Sequence, residues 1–261
     1  MIKVENVTKK YGDFKAVDDI SFEVKTGEVF AFLGPNGAGK TTTIKMLTTL
    51  IKPTKGKVFL DGHDVAENPS QTRKSFGIVF QDPSLDNELT AHENMYFHAV
   101  LFGLSKEESK DRINKLLELV ELTEKKDQYV KFFSGGMKRR LEIARGLLHK
   151  PKVLFLDEPT LGLDPQTRKH IWDYIRNLNK EEKVTVFFTT HHMDEVEKMA
   201  EKVAVIDNGK IVFIGTLDEV KQKTGMQNLE DAFISLTGHE IREEEGNVGK
   251  FQMQVNRKLM G

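Results

Sequence analysis

The sequence predicts an α/β fold with a mainly parallel core sheet and helices on both of its faces, an N-terminal antiparallel β subdomain and an inserted helical subdomain. Three observations predict it. Strand-like and helix-like segments alternate along most of the chain, which is the pattern of parallel sheets. A glycine-rich loop at 34–41 joins an apolar run to a helical pattern. A stretch from about residue 83 to residue 133 has helical character and few β-branched runs.

The first segments of the chain have strand patterns of two kinds. Residues 2–7 and 20–24 alternate apolar and polar side chains, and a period of two is typical of half-buried antiparallel strands. Residues 29–33 are apolar throughout, as in a strand that is covered on both faces. Residues 41–51 have a helical pattern. We therefore expect a buried strand, the glycine loop and a helix in direct succession.

The rest of the chain continues the alternation. In the helical stretch an apolar stripe starts at Ile113 and repeats at i+3, i+4 and i+7, as in an amphipathic helix. A helix is predicted over 166–178, and an Asp-Asn-Gly turn at 207–209 predicts a final hairpin. The strands predicted in this part of the chain are 57–61, 76–80, 153–156, 184–188, 203–206 and 210–214.

These patterns predict three parts. Residues 1–82 and 150–217 form a core that includes the glycine-rich loop and the antiparallel β subdomain, and residues 83–149 form the helical subdomain. Residues 218–261 form a helical and then polar tail, in which the acidic stretch 243–247 is expected to be loose.

Composition excludes several classes of function. The net charge of −1 gives no global basic field, so we expect no nucleic-acid partner. The run Lys138-Arg139-Arg140 is predicted to be a solvated helix face. Because the chain has no cysteine, disulfides and thiolate metal sites are excluded, and a reducing compartment is favoured.

Hydropathy points to a chain that is not itself embedded in a membrane. The longest apolar runs have four to six residues, whereas a membrane-spanning helix needs about 20. The first residues lack the apolar core of a signal peptide. We expect the chain in the cytoplasm, with any membrane role mediated by a partner.

The glycine-rich loop has the pattern Gly-x-x-x-x-Gly-Lys-Thr, which is suited to holding nucleotide phosphates. Its glycines allow the backbone to approach closely, and successive N–H groups form an anion-binding nest at the start of a helix. Lys40 adds a compact positive charge for the β- and γ-phosphates, and the Thr41 hydroxyl can bind Mg²⁺. The predicted phosphate-binding residues are Gly34, Pro35, Asn36, Gly37, Ala38, Gly39, Lys40, Thr41 and Thr42.

Two adjacent carboxylates end the predicted strand 153–156. Ligands bind at the carboxyl ends of parallel strands. Asp157 fits the role of holding Mg²⁺ through water, and Glu158 is placed to act as a general base toward the attacking water.

A second glycine-rich motif, Ser134-Gly135-Gly136, precedes a predicted helix. Ser134 is a good N-cap, but capping does not require two glycines. Bare N–H groups and a hydroxyl make a second anion site. Since the chain already has one phosphate-binding nest, we expect the second to face a nucleotide that another subunit holds.

Together these motifs resemble the ATP-binding cassette (ABC) ATPases, the motor subunits of ABC transporters, over about residues 1–217. The resemblance implies a P-loop NTPase fold that uses ATP and Mg²⁺. It implies that the phosphate loop is Walker A, Asp157 the Walker B aspartate and Glu158 the catalytic carboxylate. Ser134-Gly135-Gly136 would be the signature loop, which clamps the γ-phosphate across a head-to-tail dimer.

Four weaker features agree with the resemblance through their order along the chain. Gln81 is similar to the Q-loop glutamine, which senses Mg²⁺ and the membrane subunit. Asp164 ends a segment that resembles the D-loop at the dimer interface. His191 resembles the switch histidine that contacts the γ-phosphate, and Tyr11 the aromatic residue that stacks on adenine. Taken singly, each is compatible with an ordinary surface, loop or sheet-edge residue.

The signature departs from the common pattern of the family. Met137 stands where glutamine is common, and the following Lys-Arg-Arg-Leu-Glu resembles the branch that drives drug and polyketide exporters. The segment 229–238 is similar to the C-terminal tail of that branch. The serine and glycines that would touch phosphate are intact, so catalysis is expected to persist.

The leading functional prediction is an ATP-hydrolysing transporter subunit, working as a homodimer or heterodimer with a transmembrane permease subunit at the cytoplasmic face of the membrane. Residues 81–102 would contact that subunit through Phe97, Val100, Leu101 and Phe102. An importer subunit and a soluble ABC ATPase, for example for iron–sulfur assembly, remain as alternatives. A long coiled-coil arm is excluded because Ser134 follows Lys40 by only 94 positions.

Overall fold

The computed structural model describes residues 1–238. Residues 239–261, which include the predicted loose stretch 243–247 and most of the predicted polar tail, lie outside the described residues. Over residues 1–238 the chain forms two β-sheets and a set of helices, so the predicted α/β class is confirmed.

Ten strands occur within the described part of the chain. Their chain order mixes short hairpins with strands that are separated by helices. They are β1 (Ile2–Tyr11), β2 (Phe14–Val24), β3 (Val29–Leu33), β4 (Lys55–Leu60), β5 (His63–Asp64), β6 (Phe76–Val79), β7 (Val153–Asp157), β8 (Thr185–Thr190), β9 (Lys202–Asp207) and β10 (Lys210–Gly215).

Nine α-helices lie between and after these strands over residues 1–238. Three of them begin with a capping box, in which a serine or threonine and a glutamate three positions later satisfy each other's backbone N–H groups. The helices are α1 (Lys40–Leu47), α2 (Pro69–Lys74), α3 (Ala91–Leu101), α4 (Lys106–Leu119), α5 (Gly135–Gly146), α6 (Pro165–Glu182), α7 (Met193–Met199), α8 (Leu217–Thr224) and α9 (Leu229–Thr237).

The two sheets differ in topology. The smaller sheet has the order β2-β1-β4-β5, and all of its pairs are antiparallel. The larger sheet has the order β10-β9-β3-β8-β7-β6, and all of its pairs are parallel except the edge pair of β9 and β10. The predicted N-terminal antiparallel subdomain and mainly parallel core are therefore both confirmed.

Strand β3 is buried on both faces, as its apolar sequence predicts. Phe30 and Phe32 face a core shared with the antiparallel sheet and α1, where the ring of Phe30 lies 5.5 Å from that of Phe187. Ala31 and Leu33 face a second core formed with the helical layer. The two cores enclose the larger sheet, which fixes the strand ends that carry the site.

Several elements differ from the predicted bounds. The second strand begins at Phe14 and the helix predicted over 166–178 runs from Pro165 to Glu182. The short helix α2 was not predicted, because its six residues are too few to show an amphipathic period. Among the helices of residues 1–238, none combines the length and the apolar character that crossing a membrane requires.

The order of the parallel strands brings distant motifs together. Strands β3, β8, β7 and β6 are neighbours and run in the same direction. Their carboxyl ends therefore lie at one edge of the sheet, where the loops after the strands form a ligand-binding crevice. This edge holds the glycine loop, His191, the acidic pair and Gln81.

Candidate active site

The glycine loop connects β3 to α1 and is shaped by close backbone contacts. A Cβ atom at Gly34 would lie 2.3 Å from the carbonyl oxygen of Ile206. Gly39 has a φ of 108°, and a Cβ atom there would lie 2.6 Å from the carbonyl oxygen of Ala16. Gly39 is also the N-cap of α1 and has no side chain to cap it. The first N–H groups of the helix therefore remain available to an anion.

The ammonium group of Lys40 lies across this loop and is buried. Nζ donates hydrogen bonds to the carbonyl oxygens of Gly34, at 2.8 Å, and Pro35, at 3.2 Å. It also lies 3.0 Å from Oε1 of Glu158. These three acceptors match the three donors of an ammonium group, so Lys40 links the phosphate loop directly to the acidic pair.

Asp157 ends β7 with one bonded and one unbonded carboxylate oxygen. Oδ1 accepts hydrogen bonds from the hydroxyls of Thr189, at 2.6 Å, and Thr41, at 3.4 Å. Within residues 1–238, the buried Oδ2 has no hydrogen-bond partner. Burial raises the pKa of Asp157, although the two threonine bonds oppose the shift. An unbonded buried carboxylate oxygen beside a threonine hydroxyl fits the oxygen ligands that Mg²⁺ prefers.

Glu158 lies in the left-handed region of backbone space, with a φ of 47°. Its carboxylate is held at both oxygens, since Oε1 faces Lys40 and Oε2 accepts a hydrogen bond of 2.8 Å from Nδ1 of His191. Burial raises the pKa of this carboxyl group, but the His191 bond and the Lys40 charge outweigh burial and lower the pKa to about 2. The ionised carboxylate is thus fixed between two nitrogen groups at the sheet edge.

Three further residues that were predicted to contact nucleotide are exposed at the surface around the site. Tyr11 is 51% exposed at the end of β1, where it is paired with Phe14 of β2. Gln81 is exposed, two positions after β6 ends. Asp164 is exposed and caps α6 by accepting a hydrogen bond of 3.0 Å from the Thr167 N–H. Capping is a sufficient structural explanation for Asp164, so its contact with nucleotide stays a prediction.

The signature turn faces outward from its own chain. Ser134 caps α5 by accepting a hydrogen bond of 3.2 Å from the Met137 N–H, and Ser134 and Gly135 are exposed. The atom nearest to a Cβ added at Gly135 is Cδ2 of Leu163, at 3.8 Å. Within residues 1–238, no hydrogen bond joins this turn to the phosphate loop of the same chain.

The prediction of a solvated face at 138–140 is wrong for its central residue. Arg139 is only 6% exposed, because its position on α5 faces the end of β7. It donates to the carbonyl oxygens of Asp157 and Glu158. The signal that could have found it is the acidic residue Glu142 one helical turn later, which is also buried.

Sequence reasoning also missed a carboxylate that connects two site loops. Glu195 of α7 is buried and accepts hydrogen bonds from the hydroxyls of Thr160 and Thr190. Thr160 follows the acidic pair and Thr190 precedes His191. Glu195 therefore fixes the spacing of the two loops that carry Glu158 and His191.

Comparison with known proteins identifies the family. The family model described as ABC transporter matches residues 17–161. The chain is 42% identical over 243 residues to the linearmycin resistance ATP-binding protein LnrL of Bacillus subtilis, covering 93% of this chain and 76% of the relative. It is 44% identical to the Nod factor export ATP-binding protein I of Burkholderia orbicola, covering 82% of this chain and 70% of the relative.

Solved structures agree with this assignment. The dimeric, post-hydrolysis cassette MJ0796 bound to ADP and Pi superposes with a TM-score of 0.75 at 30% identity, covering 83% of this chain and 99% of that one. The structural similarity thus extends over nearly the whole of the MJ0796 cassette, which was solved with ADP and Pi bound. The chain belongs to the ABC transporter family, as an ATP-binding subunit that hydrolyses ATP.

Proposed function

We propose that the chain is the motor subunit of an exporter and couples ATP hydrolysis in a head-to-tail dimer to a separate membrane subunit. The observation that carries the proposal is the cluster of Lys40, Glu158 and His191 beside Thr41 and Asp157. The names of the resistance and export relatives favour an exporter over an importer or a soluble iron–sulfur assembly ATPase.

The phosphate loop holds the triphosphate in this proposal. The N–H groups at the start of α1 bind the β- and γ-phosphates, and Lys40 adds its charge. Thr42 contacts the α-phosphate, and Tyr11 stacks on adenine from its exposed position at the end of β1. The adenine and the phosphates are thereby bound by two different subdomains.

The residues suited to Mg²⁺ are Thr41 and Asp157, whose oxygens lie 3.4 Å apart. Asp157 Oδ2 supplies a free acceptor for a metal-bound water. Bound Mg²⁺ would supply positive charge that neutralises the negative charge developing during cleavage. Gln81 is the further predicted ligand from the loop after β6.

Glu158 is the proposed general base, and His191 holds its orientation. The pKa of about 2 reflects the Lys40 contact as well as the His191 bond. When Lys40 engages phosphate, the contact of Nζ with Oε1 weakens and the pKa of Glu158 rises. The carboxylate then becomes a stronger base toward the attacking water at the moment the substrate is in place.

The signature turn serves the neighbouring subunit in this proposal. Its exposure supports that role, as does the dimeric state named for the cassette MJ0796. The hydroxyl of Ser134 and the N–H groups of Gly135 and Gly136 bind the γ-phosphate held by the other subunit. Asp164 lies at the same interface, at the start of α6.

The proposed contact with the membrane subunit is the apolar surface of α3. Phe97 and Val100 are each 53% exposed and Leu101 is 82% exposed. Three apolar side chains exposed together on one helix mark an interaction surface. Phe102, predicted to join them, instead stacks on His149 with ring centres 3.7 Å apart. This surface would dock the chain at the cytoplasmic face of the membrane.

Co-purification tests the proposal. A tagged chain is isolated from membranes in mild detergent, together with a Leu101→Asp variant and a Leu50→Asp control, since Leu50 is exposed three positions after α1 ends. We expect wild type and Leu50→Asp to retain an integral membrane protein that Leu101→Asp loses, with equal ATPase rates for the purified chains. Recovery of a soluble scaffold with all three proteins would instead support the assembly ATPase.

A further inference from the structure

Arg139 places a buried guanidinium group among backbone carbonyls at the edge of the active site. Nε donates to the Pro159 carbonyl oxygen at 2.6 Å, and Nη2 donates to those of Asp157, at 3.1 Å, and Glu158, at 3.0 Å. Nη1 donates to the Phe80 carbonyl oxygen. A planar group with five N–H donors is suited to such a divergent set of acceptors.

The three consecutive carbonyls belong to the turn that presents Glu158. A φ of 47° is unfavourable for a residue with a Cβ atom and persists only where surrounding contacts hold it. The Glu158 N–H supplies one such contact by donating to the Thr189 carbonyl and hydroxyl oxygens. Arg139 supplies contacts on the carbonyl side of the turn, where the Glu158 carbonyl oxygen also accepts a hydrogen bond from the Leu161 N–H.

Glu142 keeps the guanidinium group in place. Its Oε2 lies 3.4 Å from Nη1 of Arg139, and its Oε1 accepts hydrogen bonds from the N–H and hydroxyl of Ser84. Both residues are nearly fully buried. Burying two charged side chains on one helix costs free energy unless their polar groups are paired. Here Arg139 is paired with Glu142 and with the backbone carbonyls of the Glu158 turn.

We propose that Arg139 is the positioning residue that holds the Glu158 turn in the geometry required for catalysis. This proposal rests on the role of Glu158 given under Proposed function. Because the guanidinium group of Arg139 donates to backbone carbonyl oxygens, we place its action on the backbone that orients the carboxylate. It also fixes the Phe80 carbonyl, which immediately precedes Gln81.

The position of Arg139 on α5 has a consequence for the dimer. Arg139 lies five positions after Ser134, within the helix that Ser134 caps. Because a short helix moves as a rigid element, docking of the signature turn on a neighbour's nucleotide would be transmitted to Glu158 of the same chain. One helix would thereby connect the two ATP sites of a dimer.

Steady-state kinetics of the full chain test the proposal with Arg139→Met and Arg139→Lys. Arg112→Met is the matched control, because Arg112 also donates to two carbonyl oxygens, those of Leu147 and Leu148, away from the site. We expect Arg139→Met to lower kcat by about 10- to 100-fold, with the KM and the Kd for ATP within about twofold. Arg139→Lys should recover part of kcat, and Arg112→Met should leave it unchanged.

The possible outcomes distinguish a failure of the Arg139 proposal from a failure of the proposed catalytic role of Glu158. If Arg139→Met lowers only Tm and kcat per folded molecule is unchanged, Arg139 is structural and the proposal is overturned. If Arg139→Met does not fold, Arg139→Lys decides, and an unchanged kcat in that variant overturns the proposal. Glu158→Gln is measured in parallel: normal turnover there removes the role of Glu158, and the Arg139 proposal with it.

Discussion

Replacing Glu158 by glutamine changes the charge of the site with little change in its shape. The amide oxygen of glutamine can replace only one of the two carboxylate oxygens, either the one that faces Lys40 or the one that faces His191. Glutamine loses the ion pair in which Nζ of Lys40 lies 3.0 Å from Oε1, and it can no longer accept a proton from water. The substitution therefore separates proton acceptance from phosphate binding, which the loop at 34–41 performs.

The electrostatic part of this change can be estimated from the pKa. The surroundings lower the pKa of Glu158 from 4.5 to about 2, which at about 1.4 kcal/mol per pKa unit is about 3 kcal/mol. Because the folded-state pKa is lowered, this contribution is fully present above about pH 4.5 and is lost as the pH falls toward 2. Glu158→Gln should therefore lower the free energy of unfolding more at pH 7 than at pH 3.

Turnover should fall much further than stability. Loss of a general base costs about 10²- to 10⁴-fold, so phosphate release by Glu158→Gln should be nearly abolished. ATP binding should persist, and gel filtration should show a stable ATP-bound dimer. Glu118→Gln is the control, because it makes the same charge change at an exposed position of α4. Turnover by Glu158→Gln near the wild-type rate would refute the assignment.

Three further predictions concern the other site residues. The Gly135→Asp side chain has room in its own chain, so this variant should keep ATP binding to the monomer while turnover falls about 100-fold. Gly136→Ala should instead lower Tm, because its Cβ atom would lie 2.6 Å from a methyl group of Thr167. Tyr11→Ala should weaken ATP binding by about 1–3 kcal/mol in a fluorescence titration, and Phe14→Ala should not. Thr41→Val should raise the Mg²⁺ concentration for half-maximal activity about tenfold, and an unchanged requirement would exclude its hydroxyl as a ligand.

Much of the fold follows from local patterns. The uniformly apolar segment 29–33 predicts a strand buried on both faces, and the structure places it between two cores. The glycine loop and the adjacent Asp157 and Glu158 predict the sheet edge that carries the site. These motifs are short, and each has a physical reason for its residue types that does not depend on the rest of the chain.

The contacts that complete the site depend on strand order, which local patterns do not contain. His191 reaches Glu158 across 33 positions of sequence because β8 lies beside β7. The neighbouring His192 has the same residue type, yet its ring packs on that of His191, with centres 4.1 Å apart. The contacts of Arg139 also depend on packing. Its charge predicts a side chain exposed to solvent, and only the packing of α5 on β7 reveals the carbonyl oxygens to which it donates.

The central claim is that the signature turn of one subunit completes the ATP site of its neighbour. Mixing two inactive chains, Lys40→Met and Gly135→Asp, tests it directly. With random pairing, half of the dimers are mixed and each contains one intact site, so ATPase activity of up to about a quarter of the wild-type value should return. Activity no greater than the sum of the two variants alone, with both chains folded and dimerising, would contradict the claim.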